Sequence, residues 1–247
     1  MMWFDALVFA VGLISGGIAS IAGFGIGSLL TPTFALAMPM KLAVAAVSVP
    51  HLVATGYRCW LMREHIDWRI LKSFGLMSAA GGLTGALLNS LASSPALGFV
   101  LATLLIFVGI SGLTGFSQRM KFEGGWAWAA GAVSGFLGGL VGNQGGLRSG
   151  AMLGLDVSRH AFVATATATG LIVDFARMPV YVVLQYQALL DQWRPLAIAC
   201  VGVLAGTVVG ARVLRKLPEK VFRTIVAVLL LGLGFWILAS QIVTTGR

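Results

Sequence analysis

The longest uncharged stretch of the sequence decides its fold class. No charged residue occurs in the 46 residues from Ser73 to Gln118. A helix needs about 20 apolar residues to cross the hydrocarbon core of a bilayer, so this stretch predicts two membrane spans joined by a turn. Further uncharged stretches extend from Ala6 to Met40 and from Thr224 to Gly246, and the mean hydropathy of the chain is +0.93. The sequence therefore predicts an all-α polytopic protein embedded in a lipid bilayer.

The positive charge of the chain follows membrane topology and does not indicate a nucleic-acid partner. The chain has 17 basic and 8 acidic residues, which gives a formal net charge of +9. Most of the basic residues fall in short segments between predicted spans, where the positive-inside bias places them. The two cysteines, Cys59 and Cys200, lie in apolar segments, so we expect packing residues and no disulfide framework.

Residues of the first half recur in the second half at a nearly constant shift. At a shift of 119, Gly12, Ser15, Gly16, Gly23, Ser48 and Arg58 correspond to Gly131, Ser134, Gly135, Gly142, Thr167 and Arg177. At a shift of 125, the pair Trp68-Arg69 corresponds to Trp193-Arg194. Such in-order matches predict two internal repeats, 1–118 and 124–247, within a single integral-membrane domain.

Each repeat has the same order of predicted segments. An apolar helix (3–20 or 124–141) leads into a glycine-rich break and then a short helix (28–38 or 147–155). Eleven helical residues reach only about 16 Å, half of the membrane core, so this unit predicts a re-entrant broken-helix hairpin. Three full transmembrane helices follow in each repeat, at 41–61, 70–91 and 95–117, then at 161–184, 194–213 and 219–241.

The distribution of loop charges predicts the orientation of the two repeats. If both hairpins return to their starting side, eleven of the fourteen basic loop residues lie on one side of the membrane and three on the other. If each broken unit crosses once, the distribution is seven against seven. The positive-inside rule favours the first arrangement. It predicts inverted repeats in a multi-pass membrane protein, with both termini on the outer side of the membrane. Inverted repeats with broken helices are typical of transporters.

Three arginines lie inside the predicted membrane segments: Arg58, Arg148 and Arg177. A charge at membrane depth is costly, which makes each of them a candidate for a functional site. Arg58 and Arg177 occupy matched positions of the two repeats, so one anion site built from both halves is the expectation. For Arg58 and Arg148, the alternative is that the side chain snorkels to the nearby cytoplasmic face.

The glycine-rich breaks are the second part of the candidate anion site. A broken helix leaves free N–H groups at the start of its second arm, where the helix dipole also attracts anions. Close helix packing through small residues is the alternative explanation for the glycines. The residues that we expect to bind substrate at the breaks are Gly25, Gly27, Ser28, Asn143, Gln144 and Gly145.

Two further polar residues share the predicted spans. Asp174 stands three residues before Arg177, which suits either a structural ion pair or a proton-sensitive partner that couples transport to protons. His51 lies on the same helix face as Arg58 and is either a site residue or a histidine satisfied by a backbone carbonyl. Near the start of the span 161–184, Thr165, Thr167 and Thr169 either donate to an oxyanion or bond back to their own helix. No catalytic set, metal cluster or cofactor motif is visible, so we predict no catalytic residues, no metal and no cofactor.

At its two breaks the sequence resembles the TauE/SafE family of anion exporters, also called the sulfite exporter family. The first motif is Gly23-Phe24-Gly25-Ile26-Gly27-Ser28, and the second runs from Gly142 through Asn143-Gln144-Gly145-Gly146-Leu147 to Arg148. The resemblance covers nearly the whole chain through the duplicated plan. It implies export of sulfite, organosulfonates or related small anions across a bacterial inner membrane.

We therefore expect a membrane transporter that exports a small sulfur-containing anion from the cytoplasm. One alternative is a proton-coupled importer of such an anion that uses Asp174. Another is a membrane-embedded enzyme, which would need a paired catalytic set. The oligomeric state is left open, with a homodimer as one option.

Overall fold

The computed structural model describes residues 2–116, 125–143, 145, 148, 158–210 and 218–245, and this part of the chain forms helices with no strand. The helices of the first half are α1 (Met2–Ala22), α2 (Ile26–Phe34), α3 (Met40–Met62), α4 (Trp68–Ile70), α5 (Leu76–Leu91) and α6 (Ser94–Thr114). Those of the second half are α7 (Gly125–Val141), α8 (Arg159–Asp191), α9 (Trp193–Ala205) and α10 (Glu219–Thr245). Two π-helical turns, Leu71–Gly75 before α5 and Gly206–Gly210 after α9, extend their neighbours.

Six helical segments among the described residues are long and apolar enough to cross a membrane: Met2–Ala22, Met40–His65, Trp68–Leu91, Ser94–Thr114, His160–Asp191 and Thr224–Val243. The prediction of an all-α polytopic membrane protein is therefore confirmed. The segment bounds differ in detail. The first helix has 21 residues and is itself long enough to span a membrane. The predicted span 161–184 is part of a longer helix of 33 residues, α8, which contains Pro179 and has non-helical backbone angles at Gln185.

Glycines set the end of the first helix and the start of the second. Gly23 and Gly25 have φ angles of 76° and 130°, which side chains other than glycine rarely adopt. The chain therefore leaves α1 after Ala22 and enters α2 at Ile26. The predicted break extended too far at Gly27, which lies in the first turn of α2 together with Ser28, the predicted first residue of the short helix.

The short helix after the first break is displaced from its predicted bounds. It covers Ile26–Phe34 instead of 28–38, and its last carbonyls bond to the backbone N–H of Ala35 and Met38. In the second half, Gly142 has a φ of 73° and ends α7 in the same way. The predicted short helix 147–155 lies outside the described residues apart from Arg148.

The two halves interlock through glycines. α1 packs on α9, and a Cβ atom on Gly16 would overlap with the carbonyl oxygen of Val203. The equivalent pair is α7 with α5, where a Cβ on Gly135 would overlap with the carbonyl oxygen of Ser78. Each half therefore supplies the packing partner of the other half's first helix. Close approach through small residues explains these glycines without a ligand.

Helices at matched positions of the two halves contact each other in antiparallel fashion. Along α3 and α8, Gly56 faces Leu171, and the backbone N–H of Asp67, just beyond α3, bonds to Thr165 Oγ1 near the start of α8. Along α6 and α10, Gly98 faces Gln241 near one end of the pair, and Gly109 faces Leu231 further along it. The centre of the molecule is therefore formed by α3 and α8 together with the two breaks.

Candidate functional site

The two glycine-rich breaks meet at the centre of the molecule. A Cβ atom on Gly27, in the first turn of α2, would overlap with the carbonyl oxygen of Gly142. Ser28 Oγ donates a hydrogen bond of 3.0 Å to Asn143 Oδ1, so α2 contacts the second break directly. The Phe24 side chain fills the position where a Cβ on Gly145 would stand. Residues 115 or more positions apart in sequence thus form one contact.

Arg148 is buried at this contact and does not snorkel. Its exposed fraction is 2%, and its Nη2 donates to the carbonyl oxygen of Gly23 over 3.3 Å. Its Nη1 lies 3.0 Å from the position that a Cβ on Gly170 would occupy, which places the guanidinium against α8. Nε and Nη1 have no hydrogen-bond partner within the described part of the chain. The side chain therefore bonds to a break through Nη2, while the three N–H groups on Nε and Nη1 have no partner among the described residues.

Arg58 is the second buried arginine with free donors. It lies in α3 with an exposed fraction of 3%, so it does not reach the membrane surface either. Its Nε and Nη1 find no partner among the residues that the structure describes. Arg58 follows His51 by two turns of α3, and His51 and Arg148 approach the same point on Gly170, so both arginines belong to this region of the core. Two like charges buried together strongly favour an anion between or beside them.

Asp174 is saturated with hydrogen bonds. Its Oδ1 accepts from Arg177 Nε at 3.0 Å and from Arg177 Nη2 at 2.7 Å. Its Oδ2 accepts from His51 Nδ1 at 2.6 Å and from Thr55 Oγ1 at 3.0 Å. The side chains of Asp174 and Arg177 are both fully buried. The sequence predicted the pair with Arg177, and the structure adds His51 and Thr55 from the neighbouring helix α3.

Arg177 connects this pair to the second break. Besides Asp174, its Nη1 donates to the carbonyl oxygen of Gly138 in the last turns of α7. One helical turn further along α8, the hydroxyl of Tyr181 donates to the carbonyl oxygen of Gly139. Arg177 therefore fixes the end of α7, while Arg58, its match in the first half, keeps free donors.

Further polar groups at the contact of the breaks and on α8 have no partner among the described residues, and most of them can donate a hydrogen bond. They include Asn143 Nδ2 and the hydroxyls of Thr31 and Thr167, all buried and unpaired within the described residues. Thr31 Oγ1 lies 2.8 Å from the position of a Cβ on Gly142, at the contact of the breaks. A buried donor left without a partner costs about 1–3 kcal/mol, and more when it is charged. Such a set suits a ligand that accepts many hydrogen bonds and carries negative charge.

The predicted threonine pattern separates into two roles. Thr165 Oγ1 accepts a hydrogen bond of 2.9 Å from the backbone N–H of Asp67, so it joins α8 to the loop before α4. The hydroxyls of Thr167 and Thr169 have no partner in the described ranges and do not bond back to their own helix. Thr167 and Gly170 share one face of α8, so Thr167 lies one turn from the contact with Arg148.

The match to a family model decides what kind of protein carries this site. The model of the family described as "Sulfite exporter TauE/SafE" matches residues 8–237, which include both breaks and all three buried arginines. The chain belongs to the TauE/SafE family. TauE/SafE proteins are membrane transporters of sulfur anions such as sulfite, in agreement with the six apolar helices. No curated protein and no solved structure matches the chain.

Some residues of this TauE/SafE site were not found from the sequence. Thr55 follows His51 by four residues, and Tyr181 follows Arg177 by four, so helix spacing alone could have flagged both. The carbonyl oxygen of Gly23 carries no side-chain signal and could not have been found. Of the predicted site residues, Gln144 lies outside the described residues. No group of three or more metal-ligating side chains occurs in the part of the chain that was described.

Proposed function

We propose that this chain exports a small sulfur-containing oxyanion or sulfonate, such as sulfite, from the cytoplasm of a bacterium across its inner membrane. The observation that carries the proposal is the pair of buried guanidinium groups, Arg58 and Arg148, whose Nε and Nη1 atoms have no partner among the described residues. An anion beside them would satisfy these donors and compensate their charge. Family membership supplies the sulfur chemistry of that anion.

The proposed site would bind the anion through charged guanidinium donors and through neutral donors. A guanidinium presents its N–H donors in a fixed plane that matches two oxygens of a planar or pyramidal oxyanion. Asn143 Nδ2 and the Thr31 hydroxyl would add single neutral donors at the contact of the breaks. Gly25 caps α2 without a side-chain hydrogen bond, so the first N–H groups of this nine-residue helix also point toward the break.

The other residues of the breaks shape the site. Gly27 and Gly145 allow the two breaks to touch, because a Cβ atom at either position would overlap with a neighbour. Ser28 Oγ donates to Oδ1 of Asn143, so the Nδ2 donor of Asn143 points away from α2. Arg177 and Asp174 form a neutral pair that supports the site, and we propose a positioning role for them.

Export is the direction that needs no energy source besides the membrane potential. With a cytoplasm-negative potential, moving one negative charge outward is favoured by about 2.3 kcal/mol per 100 mV. A proton-coupled importer would need a carboxylate that gains and loses a proton during the cycle. Asp174 is a poor candidate, because each of its oxygens already accepts from two donors, and a proton on either oxygen would conflict with the donors that bond to it. We also propose a carrier and not an enzyme, since binding groups without a nucleophile and base do not make an active site.

We propose that the halves 1–118 and 124–247 are inverted repeats. The antiparallel contact of the matched helices α3 and α8, and of α6 and α10, supports this arrangement. Together with the loop charges, this arrangement leads us to expect both termini in the periplasm and the loop near 185–194 on the same side. Reporter fusions after residue 247 and within this loop are both expected to give periplasmic signals. A cytoplasmic signal from either fusion would contradict the inverted arrangement.

A binding screen tests the proposed function. We expect the purified protein in detergent to bind sulfite, thiosulfate or a small sulfonate, and to bind chloride and choline much more weakly. Chloride has no oxygen atoms that could accept hydrogen bonds from the two guanidinium groups, and choline has the wrong charge. Isothermal titration or thermal-shift measurements report binding, because a ligand that binds only the folded state stabilises it. A protein that responds to none of the sulfur anions would contradict the proposal.

A further inference from the structure

His51 stands between the Asp174–Arg177 pair and the guanidinium of Arg148. Its Nδ1 lies 2.6 Å from Asp174 Oδ2. An ionised carboxylate can only accept hydrogen bonds, so Nδ1 carries the proton in this contact. In the neutral ring, the remaining nitrogen, Nε2, is then an acceptor with a free lone pair. The hydrogen bond to Asp174 thus fixes which nitrogen can take up a second proton.

The Cε1 atom of the ring lies beside the proposed anion site. The Cε1 atom of His51, which lies between the two ring nitrogens, is 3.6 Å from the position of a Cβ on Gly170. Arg148 Nη1 is 3.0 Å from the same position, and it is one of the donors without a partner in the described residues. The His51 side chain also keeps 8% of its surface exposed, whereas Asp174 keeps none. The imidazole therefore shares its surroundings with the group that we assign to the anion.

We propose that His51 is the proton-binding residue of the anion site, so that the site accepts either a singly charged anion alone or a doubly charged anion together with one proton on Nε2. This inference rests on the proposed function, and it adds the charge state of the substrate to it. The proton comes from water when the dianion enters and returns to water when the dianion leaves. The complex carries the same total charge in both cases, and net negative charge still moves outward during export.

The charges around His51 explain why a proton and an anion would bind together. Asp174 is bonded to its Nδ1, Arg177 is bonded to Asp174, and Arg148 approaches the same point on Gly170; the Asp174–Arg177 pair carries no net charge. Arg58 adds a further positive charge on its own helix. Among the elements packed on α3, the described helices α2, α6 and α7 carry no titratable side chain. The helix α9 carries Cys200 and Arg194, and the latter is paired with Asp5.

A third positive charge in this surrounding is unfavourable unless an anion is present. By linkage, an anion that favours the protonated ring must bind more tightly when the ring is protonated. A dianion would gain more than a monoanion, because the interaction energy scales with its charge. Histidine is suited to this role because its ordinary pKa lies close to neutral pH.

The test compares thiosulfate, a dianion, with methanesulfonate, a monoanion, because neither titrates near neutral pH. We expect the affinity of the wild-type protein for thiosulfate to increase as the pH falls from about 8 to about 6, by up to about tenfold per pH unit if one proton is taken up. The affinity for methanesulfonate should change much less. In weakly buffered solution, an indicator dye should record proton uptake when thiosulfate binds.

The variant His51→Asn separates proton binding from folding. An asparagine amide can donate to Asp174 from nearly the position of Nδ1, but it offers no group that takes up a proton. We expect this variant to fold, to bind both anions and to lose the pH dependence and the proton uptake. The matched control is His65→Asn, which removes an exposed histidine whose ring contacts His160. It should keep the wild-type pH dependence.

The outcomes distinguish this inference from the proposed function. If wild-type protein binds thiosulfate with an affinity independent of pH, the role of His51 is refuted while the anion site stands. The same conclusion follows if His51→Asn keeps the wild-type pH dependence, or if both anions respond equally to pH. If neither anion nor sulfite binds to the wild-type protein at any pH, the proposed function fails, and this inference fails with it.

Discussion

Replacing Arg148 by alanine is expected to weaken binding of the sulfur anion by at least about 30-fold, because truncating one partner of a buried, hydrogen-bonded charge pair costs about 2–5 kcal/mol. The guanidinium of Arg148 is buried, and two of its nitrogens have no hydrogen-bond partner among the described residues. Arg148→Lys should restore little, since an ammonium cannot hold the Gly23 carbonyl and two anion oxygens in one plane. Titration of detergent-solubilised protein with sulfite or thiosulfate measures the change.

An exposed arginine provides the control for this loss. The side chain of Arg63 is 57% exposed, and it contacts Glu64 and the backbone of Trp60. Arg63→Ala should leave anion affinity unchanged within about twofold, as expected for a solvent-screened charge. Arg148→Ala protein that binds the anion as tightly as the wild type would remove Arg148 from the site. Its burial would then require a purely structural explanation.

Replacing Asp174 by asparagine is expected to destabilise the protein by about 3–5 kcal/mol, the usual cost of removing one partner of a buried ion pair. The loss leaves Arg177 buried with an uncompensated charge and weakens the bonds to His51 and Thr55. Thermal unfolding in detergent and the yield of membrane-inserted protein measure the effect. The double variant Asp174→Asn with Arg177→Met should recover part of the stability, because it removes both charges together.

The pair between Asp5 and Arg194 is the matched control, because Arg194 is half exposed. Asp5→Asn should cost no more than about 1 kcal/mol, as is usual for solvent-exposed pairs. If Asp174→Asn is as stable as the wild type, binds the anion and loses only its response to a pH gradient, Asp174 is a proton carrier. The positioning role assigned to it here would then be wrong.

The sequence predicted the membrane class and the central residues because both depend on composition along the chain. Uncharged stretches such as Ser73–Gln118 must be buried in lipid or protein, whatever the tertiary structure. Charges inside such stretches are expensive, so Arg58, Arg148 and Asp174 stand out without any knowledge of their neighbours. The pairing of Asp174 with Arg177 followed from helix spacing alone. All of these inferences are local in sequence.

Contacts between the halves could not be predicted in the same way. The hydrogen bond from Ser28 to Asn143 joins residues far apart in sequence, and the acceptor for Arg148 is a backbone carbonyl. The sequence also did not show that Arg58 and Arg177 differ in their hydrogen-bond partners, because the two residues occupy matched positions of the repeats. Arg58 has donors without a partner in the described part of the chain, and Arg177 is bonded to Asp174 and to the end of α7. Only the arrangement of neighbouring helices separates these roles.

The exchange of partners between the halves has a consequence for biosynthesis. The helix α7 emerges from the ribosome after its partner α5 has already been made, so the two can pair at once. The helix α1 packs on α9, and Gly16 meets Val203 only after 187 further residues have been added. At 5–20 residues per second, this takes roughly 10–40 s. During that time the glycine face of α1 contacts lipid or the insertion machinery. Of the large contacts of α1, only the one with the short helix α2 can already form.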